Sequence, residues 1–123
     1  MIMCQEAKTA VYRGEKFPYT AHFYRCEDSG ERFTTTAMDS EDMEQVFSQY
    51  RQRHDIPSPD EIKAIRKKYK MSASSMSRIL GLGANQYRLY EAGEMPSLSN
   101  ARLIQLVSDE KNFKKLLDFA SRL

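Results

Sequence analysis

Hydrophobic and polar positions follow two different periods along this chain, and the change from one to the other falls near residue 38. Between residues 8 and 37, β-branched and aromatic residues gather in short runs that are separated by Gly14, Pro18 and the turn Asp28-Ser29-Gly30. Runs of this composition between turn residues predict strands. We therefore expect a small antiparallel sheet of two or three strands, the last over residues 32–36. A sheet of this size is only marginally stable alone.

The spacing becomes helical over residues 39–54. One apolar stripe recurs at i, i+3, i+4 and i+7 and comprises Met43, Val46, Phe47 and Tyr50. This period predicts an amphipathic helix whose stripe packs against other parts of the protein. Asp39 or Ser40 is expected to cap its N-terminus, because short polar side chains accept hydrogen bonds from the first free backbone N–H groups.

Two prolines, Pro57 and Pro59, mark a boundary in the chain. Ser58 and Glu61 stand at the spacing of a capping box, and Pro59 takes the first helical position. These residues predict that a new helix starts here. Its buried face is expected to carry Ile62, Ile65 and Tyr69.

The segment from residue 71 to residue 93 has the arrangement of a helix-turn-helix. Ser72 can cap a short helix, Gly81 supplies the backbone freedom of a turn, and Gly93 ends a second short helix. The residues expected to point inward from the first of these helices are Met76, Ile79 and Leu80. DNA-binding proteins use this form to place the second helix in the major groove.

Two more amphipathic helices are predicted after the loop at residues 95–97, over residues 98–107 and 110–122. Their expected apolar faces are Leu103, Leu106 and Val107 in the first, and Phe113, Leu116, Leu117 and Ala120 in the second. The predicted fold class is therefore α+β. A small N-terminal antiparallel sheet plus helix, residues 1–57, is followed by a five-helix domain, residues 58–123.

The second helix of the helix-turn-helix has two chemically different sides. One side carries Tyr87, Tyr90 and Glu91, and the other carries Ala84, Asn85, Arg88 and, at its edge, Leu89. If the second side faces DNA, Asn85 and Gln86 can pair with N6 and N7 of adenine. Arg88 can then reach guanine or a phosphate.

Charge is distributed unevenly between the two halves of the chain. Residues 1–59 carry 7 basic and 10 acidic side chains, a net charge of −3, whereas residues 60–123 carry 12 and 7, a net charge of +5. A basic C-terminal half suits a polyanion such as DNA, although a solvated helical surface gives the same count.

Composition is that of a soluble protein with one domain or two very small ones. The 123 residues are 41% hydrophobic and 29% charged, which are ordinary values. No apolar run has the length of a membrane span, and the N-terminus lacks an apolar secretory core. We therefore expect a cytoplasmic protein with no membrane partner. We also expect no enzymatic activity, because no nucleophile elbow, P-loop or metal-hydrolase spacing is present.

The sequence Tyr90-Glu91-Ala92-Gly93, followed by Pro96-Ser97, makes residues 61–97 resemble the XRE/Cro type of repressor helix-turn-helix. A wider set of residues is similar to the MqsA (YgiT-type) antitoxins, in which a zinc-binding β domain precedes a helical DNA-binding domain. This set comprises Tyr12-Arg13-Gly14-Glu15, Tyr24-Arg25-Cys26-Glu27, Gly30-Glu31-Arg32-Phe33, Tyr50-Arg51, His54, Pro59, Glu61-Ile62-Lys63, Ile65 to Tyr69, and Gly83 to Gly93.

The resemblance implies a dimeric, DNA-binding antitoxin that represses its own operon and binds a toxin. The expected partners are then a double-stranded DNA operator, a second copy of the chain and a toxin protein. The apolar faces of the C-terminal helices offer a surface for the dimer contact. The alternatives are a free-standing XRE-type transcriptional regulator without a toxin partner, and a helical bundle that only mimics the pattern.

The resemblance also assigns residues to roles. The implied DNA contacts are Ser72, Ser74, Gly83, Ala84, Asn85, Gln86, Arg88 and Leu89. Arg66 matches the family arginine that meets Glu91 in a structural ion pair, which we expect to be largely buried. The family often has polar residues where this chain has Ala73 and Leu89. Sequence specificity is therefore expected to rest on Asn85, Gln86 and Arg88.

The zinc site of the family uses two Cys-x-x-Cys pairs, and here each pair has lost one ligand. The second cysteine of each pair would stand three residues after the first. Ala7 occupies that position after Cys4, and Ser29 occupies it after Cys26. A structural zinc needs four Cys or His ligands, and His22 is expected to be an ordinary strand residue. We therefore expect no metal and no cofactor, a degenerate site at the two cysteines, and a sheet held together by its dense aromatic residues.

Overall fold

The structure is a computed structural model that describes residues 1–122. The chain divides into two compact units, Met1–Arg53 and a second that begins at His54. The predicted class is confirmed: an antiparallel three-stranded sheet and a helix come first, and five helices follow. Among the described residues, no helix combines the length and apolar character needed to cross a membrane.

The first unit is built on a long hairpin. Strands β1 (Ile2–Tyr12) and β2 (Glu15–Arg25) pair from Tyr12↔Glu15 to Ile2↔Arg25. Arg13 and Gly14 form the two-residue turn and both have positive φ, 50° and 81°. Such a turn matches the twist of a hairpin. Strand β3 (Arg32–Phe33) adds two residues to the other edge of β2.

Helix α1 (Thr36–His54) packs on this hairpin. Phe17 of β2 is fully buried, and its ring meets that of Tyr50 edge-on at 6.0 Å. Tyr12 of β1 also contacts Tyr50, at 5.1 Å. Edge-to-face contacts of this kind add to the free energy gained by burying aromatic rings. The aromatic side chains therefore hold the small sheet to its helix.

Several features of this unit differ from those predicted from the sequence. β1 begins at residue 2 and not near residue 8, and the third strand is two residues long, where five were expected. α1 begins at Thr36 and is capped by the Thr35 hydroxyl, which accepts from Met38 N at 3.1 Å, so neither Asp39 nor Ser40 is the cap. Met43 is 37% exposed, because the neighbouring Asp42 takes the buried position.

Five helices make up the second unit. They are α2 (Pro59–Lys68), α3 (Ala73–Leu80), α4 (Gln86–Glu91), α5 (Leu98–Val107) and α6 (Glu110–Ser121). Their core is formed by Ile62, Met76, Ile79, Leu80, Tyr87, Tyr90, Ile104, Val107 and Phe113. Tyr69 stacks on Phe113 with ring centroids 3.8 Å apart. The Tyr69 hydroxyl also donates to the carbonyl of Val107 at 2.8 Å, which ties the end of α5 to the residue after α2.

Two positions on the last helices differ from expectation. Leu106 is 57% exposed, whereas Ile104 is fully buried. The two lie about 200° apart around an α-helix, so burying one exposes the other. Leu117 of α6 is 38% exposed.

The boundary between the units falls between Arg53 and His54, four residues before the one expected from the sequence. Ile56 and Pro57 are buried, and Arg102 of α5 donates to the carbonyls of His54 and Asp55 at 2.7 and 2.9 Å. These contacts attach residues 54–57 to the helical unit, although the prolines in the sequence suggested a division after Pro57.

Candidate nucleic-acid interface

Helix α3 is capped at both ends by its own sequence. The Ser72 hydroxyl accepts from Ser75 N at 3.1 Å. At the other end, Gly81 has φ +73°, and Leu82 N donates to Ser77 O at 2.8 Å. A left-handed glycine followed by this longer backbone bond is the usual way a helix is closed. The turn between α3 and α4 therefore starts from a fixed geometry.

Buried hydrogen bonds hold α4 against α3 and α2. The Ser77 hydroxyl accepts from the backbone N of Tyr87 at 3.0 Å, and both residues are fully buried. The Tyr87 hydroxyl donates to the carbonyl of Ile62 on α2. Burial raises the pKa of the Tyr87 hydroxyl well above its ordinary value, so this hydroxyl remains a donor. Ser77 is therefore both small enough for close helix packing and a specific acceptor.

An ion pair ties the end of α4 to α2. Arg66 Nε donates to Glu91 Oε2 at 2.8 Å, and the side chains are 22% and 10% exposed. Arg66 also donates to the carbonyl of Met71 at 3.4 Å. The hydrogen bond to Glu91 is the largest influence on the Arg66 guanidinium and raises its pKa, although burial acts in the opposite direction. This geometry holds the side of α4 that faces away from solvent.

The other side of α3 and α4 is open to solvent. The exposed residues among the implied DNA contacts are Ser72, Ser74, Gly83, Ala84, Asn85, Arg88 and Leu89, and Gln86 is half-buried. Asn85 sits at the N-cap of α4, but its side chain makes no capping hydrogen bond. Its amide is thus available to a ligand. Leu89 is 45% exposed, so its side chain can contact a ligand on this surface.

Arg78 belongs to the same surface and was missed by the sequence reasoning. It is exposed on α3 and lines a shallow depression of about 460 Å³, and with Ser74, Leu82 and Ala84 it lines a second one of about 320 Å³. Its position four residues after Ser74 puts the two on one helix face, which is the signal that could have identified it.

The charged side chains of this surface are all positive. No acidic residue occurs between residues 71 and 90, which span α3, the turn and all of α4 except its last residue. Arg78 and Arg88 are exposed, and within residues 1–122 neither forms an ion pair. The surface therefore offers two uncompensated cations among neutral hydrogen-bonding groups.

The two cysteines lie in the first unit. Cys4 is in β1 opposite Phe23, and Ala7 projects from the other face of the same strand. Cys26 follows β2, and hydrogen bonding with Ser29 is the main cause that lowers the pKa of its thiol. Within residues 1–122 no group of three or more His, Cys, Asp and Glu side chains has the geometry to hold a metal ion.

Comparison with protein-family models, with curated protein sequences and with solved structures finds no match to this chain.

Proposed function

We propose that this chain is a sequence-specific DNA-binding transcriptional repressor that inserts α4 into the major groove. The observation that carries the proposal is the two-sided character of α3 and α4. One side is fixed by buried hydrogen bonds and an ion pair, and the other is exposed, free of acidic residues and rich in groups that bind DNA.

Each exposed group has a chemical counterpart on DNA. Asn85 can form two hydrogen bonds with adenine N6 and N7, and Arg88 can bind guanine or a phosphate. Leu89 and Ala84 offer apolar contact to a thymine methyl group. Ser72 at the N-cap of α3, and Ser74 and Arg78 on α3, carry side chains that suit the phosphate backbone, which supplies most of the affinity and fixes the register.

Rigidity of the site supports the same function. Base contacts discriminate only if the helix that carries them is held in one orientation. Tyr87 and Glu91 fix α4 to α2, and Ser77 fixes it to α3. The exposed residues between these anchors are thereby presented without rearrangement.

Selection of binding sites from a pool of random double-stranded DNA tests this proposal. We expect an enriched palindrome with half-sites about one helical turn apart, because proteins with this motif bind as dimers. Binding should weaken steeply with salt, because the contacts release counterions from the phosphates. Enrichment of no sequence, with the protein folded, would contradict the proposal.

The toxin partner follows from the resemblance to the MqsA-type antitoxins and is proposed on that basis. A cytoplasmic antitoxin of this kind represses its own promoter and binds a toxin encoded beside it. The neighbouring reading frame distinguishes this role from that of a free-standing regulator. Expression of both genes together should give a stable complex and protect the cell, whereas the absence of a toxic neighbour would favour the free-standing regulator.

A further inference from the structure

The two long edges of the β1–β2 hairpin differ in how their backbone groups are satisfied. The sheet has the order β1-β2-β3, and β3 covers only two residues at one end of β2. Elsewhere, neither edge has a neighbouring strand among the described residues. Edge strands expose unpaired N–H and C=O groups, which bind other strands unless something covers them.

Side chains of α1 cover the edge of β2. Each takes the place of a neighbouring strand by bonding to an outward backbone group. Asp42 accepts from His22 N at 2.8 Å, Gln45 bonds to both N and O of Thr20 at 2.9 Å, Gln49 donates to Pro18 O at 2.6 Å, and Arg53 donates to Lys16 O at 3.4 Å. The helix therefore blocks this edge along almost its whole length.

The edge of β1 has no such cover. In an antiparallel ladder, opposed residues either exchange both hydrogen bonds or direct both away from each other. The β1 residues opposite the four blocked β2 residues therefore also point their backbone groups outward. Because the direction alternates along a strand, Met3, two residues before Gln5, points outward as well. These five are Met3, Gln5, Ala7, Thr9 and Val11, and no hydrogen bond within residues 1–122 reaches their backbone groups.

We propose that the free edge of β1 pairs antiparallel with β1 of a second copy of this chain, with Ala7 opposite Ala7 of the copy. All five outward residues then exchange backbone hydrogen bonds across the interface. Met3, 58% exposed, lies opposite Val11, 68% exposed. Gln5 lies opposite Thr9, and Glu6 lies opposite Lys8. Each of these pairs occurs twice because the arrangement has two-fold symmetry.

Charge selects this register over its neighbours. Sliding the second strand by two residues in one direction places Glu6 opposite Glu6 of the copy. Sliding it the other way places Lys8 opposite Lys8. Like charges directly opposite each other destabilise a strand pair, whereas opposite charges stabilise it. A register shift of one residue is excluded because it removes the match between outward backbone groups.

The self-complementary order of side chains identifies the occupant as a second copy. Read from either end, β1 presents an apolar residue, then a neutral polar residue, then Ala7 at the centre, with Glu6 and Lys8 on either side of it. Pairing with a strand of a different protein would not require this symmetry. The pairing does not depend on DNA binding by α3 and α4, so the two proposals fail separately.

The native Cys4 provides a test by disulfide cross-linking in solution without DNA. In the proposed register, Cys4 lies opposite Ala10 of the copy in a non-hydrogen-bonded pair, where Cα atoms are about 4.5 Å apart. That separation suits a disulfide. Ala10→Cys in a Cys26→Ser background should therefore form linked dimers under mild oxidation. Within one chain, the two positions are about 20 Å apart along the strand and cannot react with each other.

Four further variants make the result specific. Adding Cys4→Ser should abolish the link, and Thr9→Cys in the Cys26→Ser background should fail to link because it lies on the other face. Ala7→Pro removes the central outward N–H but no bond to β2, as the native Pro18 shows that this sheet tolerates proline at an outward position. By light scattering, Ala7→Pro should fall from the mass of two chains to that of one, whereas Ala7→Ser should not.

Three results would overturn the proposal. A wild-type chain that is monomeric at micromolar concentration lacks the interface. A dimer that Ala7→Pro leaves intact uses another surface, such as the C-terminal helices. A dimer in which Ala10→Cys forms no Cys4-dependent link pairs in another register or through another element. Should Ala7→Pro lose its fold, the cross-linking series alone decides.

Discussion

Arg66 and Glu91 carry the most consequential charges inside the helical unit. Their 2.8 Å contact joins α2 to α4, and Glu91 is mostly buried. Removing one member of a buried pair leaves the other charge without its partner in a place that water reaches poorly. Glu91 is therefore the one charged group among the contacts described above that anchor α4, beside the hydrogen bonds of Ser77 and Tyr87.

Glu91→Ala is expected to lower the free energy of unfolding by about 3 kcal/mol, near the lower end of the range for buried pairs, because Arg66 keeps some contact with water. Urea denaturation followed by far-ultraviolet circular dichroism measures the loss. Glu94→Ala removes an exposed carboxylate three residues away and should change stability by less than about 0.5 kcal/mol. A loss below about 1 kcal/mol for Glu91→Ala would show that the contact contributes no more than an exposed surface ion pair does.

Individual residues were predictable where sequence spacing fixes the geometry. Ser72, Gly81 and the inward face of α3 follow from capping and from helical period. Leu106 was misplaced because its exposure depends on which side of α5 meets its neighbours. Arg78 was missed although its spacing from Ser74 places the two on one face of α3. Two apolar stripes of α5 share Val107, and only the packed structure shows that Ile104 belongs to the buried one.

At the scale of elements, α1 stabilises the sheet through polar side chains as well as apolar ones. Asp42 is the most buried of these and accepts from both the backbone N and the ring of His22, at 2.8 and 2.6 Å. Burial by itself would raise the pKa of Asp42, but the hydrogen bonds from His22 outweigh it and lower that pKa below its ordinary value of 3.8.

This lowered pKa predicts an acid-sensitive first unit. The stabilisation by ionised Asp42 is fully present above the ordinary carboxyl pKa and is lost as pH falls through the lower pKa of the folded state. Asp42→Asn should therefore be less stable than wild type above about pH 4, and the difference should shrink below it. Denaturation at several pH values, followed by the NMR signals of β2, measures this difference. A difference between Asp42→Asn and wild type that stays constant with pH would contradict this prediction.

The length of β1 could not be predicted from its first residues. Cys4, Gln5 and Glu6 have no strong strand preference, and pairing with β2 fixes their conformation. The sequence pattern instead suggested the remnant of a Cys-x-x-Cys loop. In the structure, Cys4 and Ala7 are strand residues on opposite faces, so a metal ligand at one position has no neighbour at the other.

Folding of the first unit should accordingly be independent of zinc. Two thiols do not complete the tetrahedral set that structural zinc requires, and the aromatic contacts of Tyr12, Phe17 and Tyr50 supply packing instead. Elemental analysis should find well below one zinc per chain, and EDTA should leave the thermal unfolding curve unchanged. Stoichiometric zinc, or a lower melting temperature in EDTA, would show that the first unit holds a structural metal ion.

At the scale of the whole molecule, charge is divided between an acidic N-terminal part and a basic C-terminal part. The sequence predicted this asymmetry, the α+β class and the helix-turn-helix order, because each depends on composition or on local spacing. The blocked edge of β2 and the open edge of β1 were not predictable, since they depend on side chains that meet across 20 or more residues of chain.

Binding of the selected DNA site by variants at Asn85 and Arg88 tests whether α4 reads the major groove. Asn85→Ala should lose discrimination at one base pair per half-site, by about 1–3 kcal/mol, because alanine cannot pair with adenine. Arg88→Ala should weaken binding and, if its contact is to phosphate, reduce the salt dependence by about one charge. Lys115→Ala removes an exposed positive charge from α6 and should leave the discrimination unchanged. Unaltered affinity and specificity in both α4 variants, with the fold intact, would show that α4 does not contact DNA.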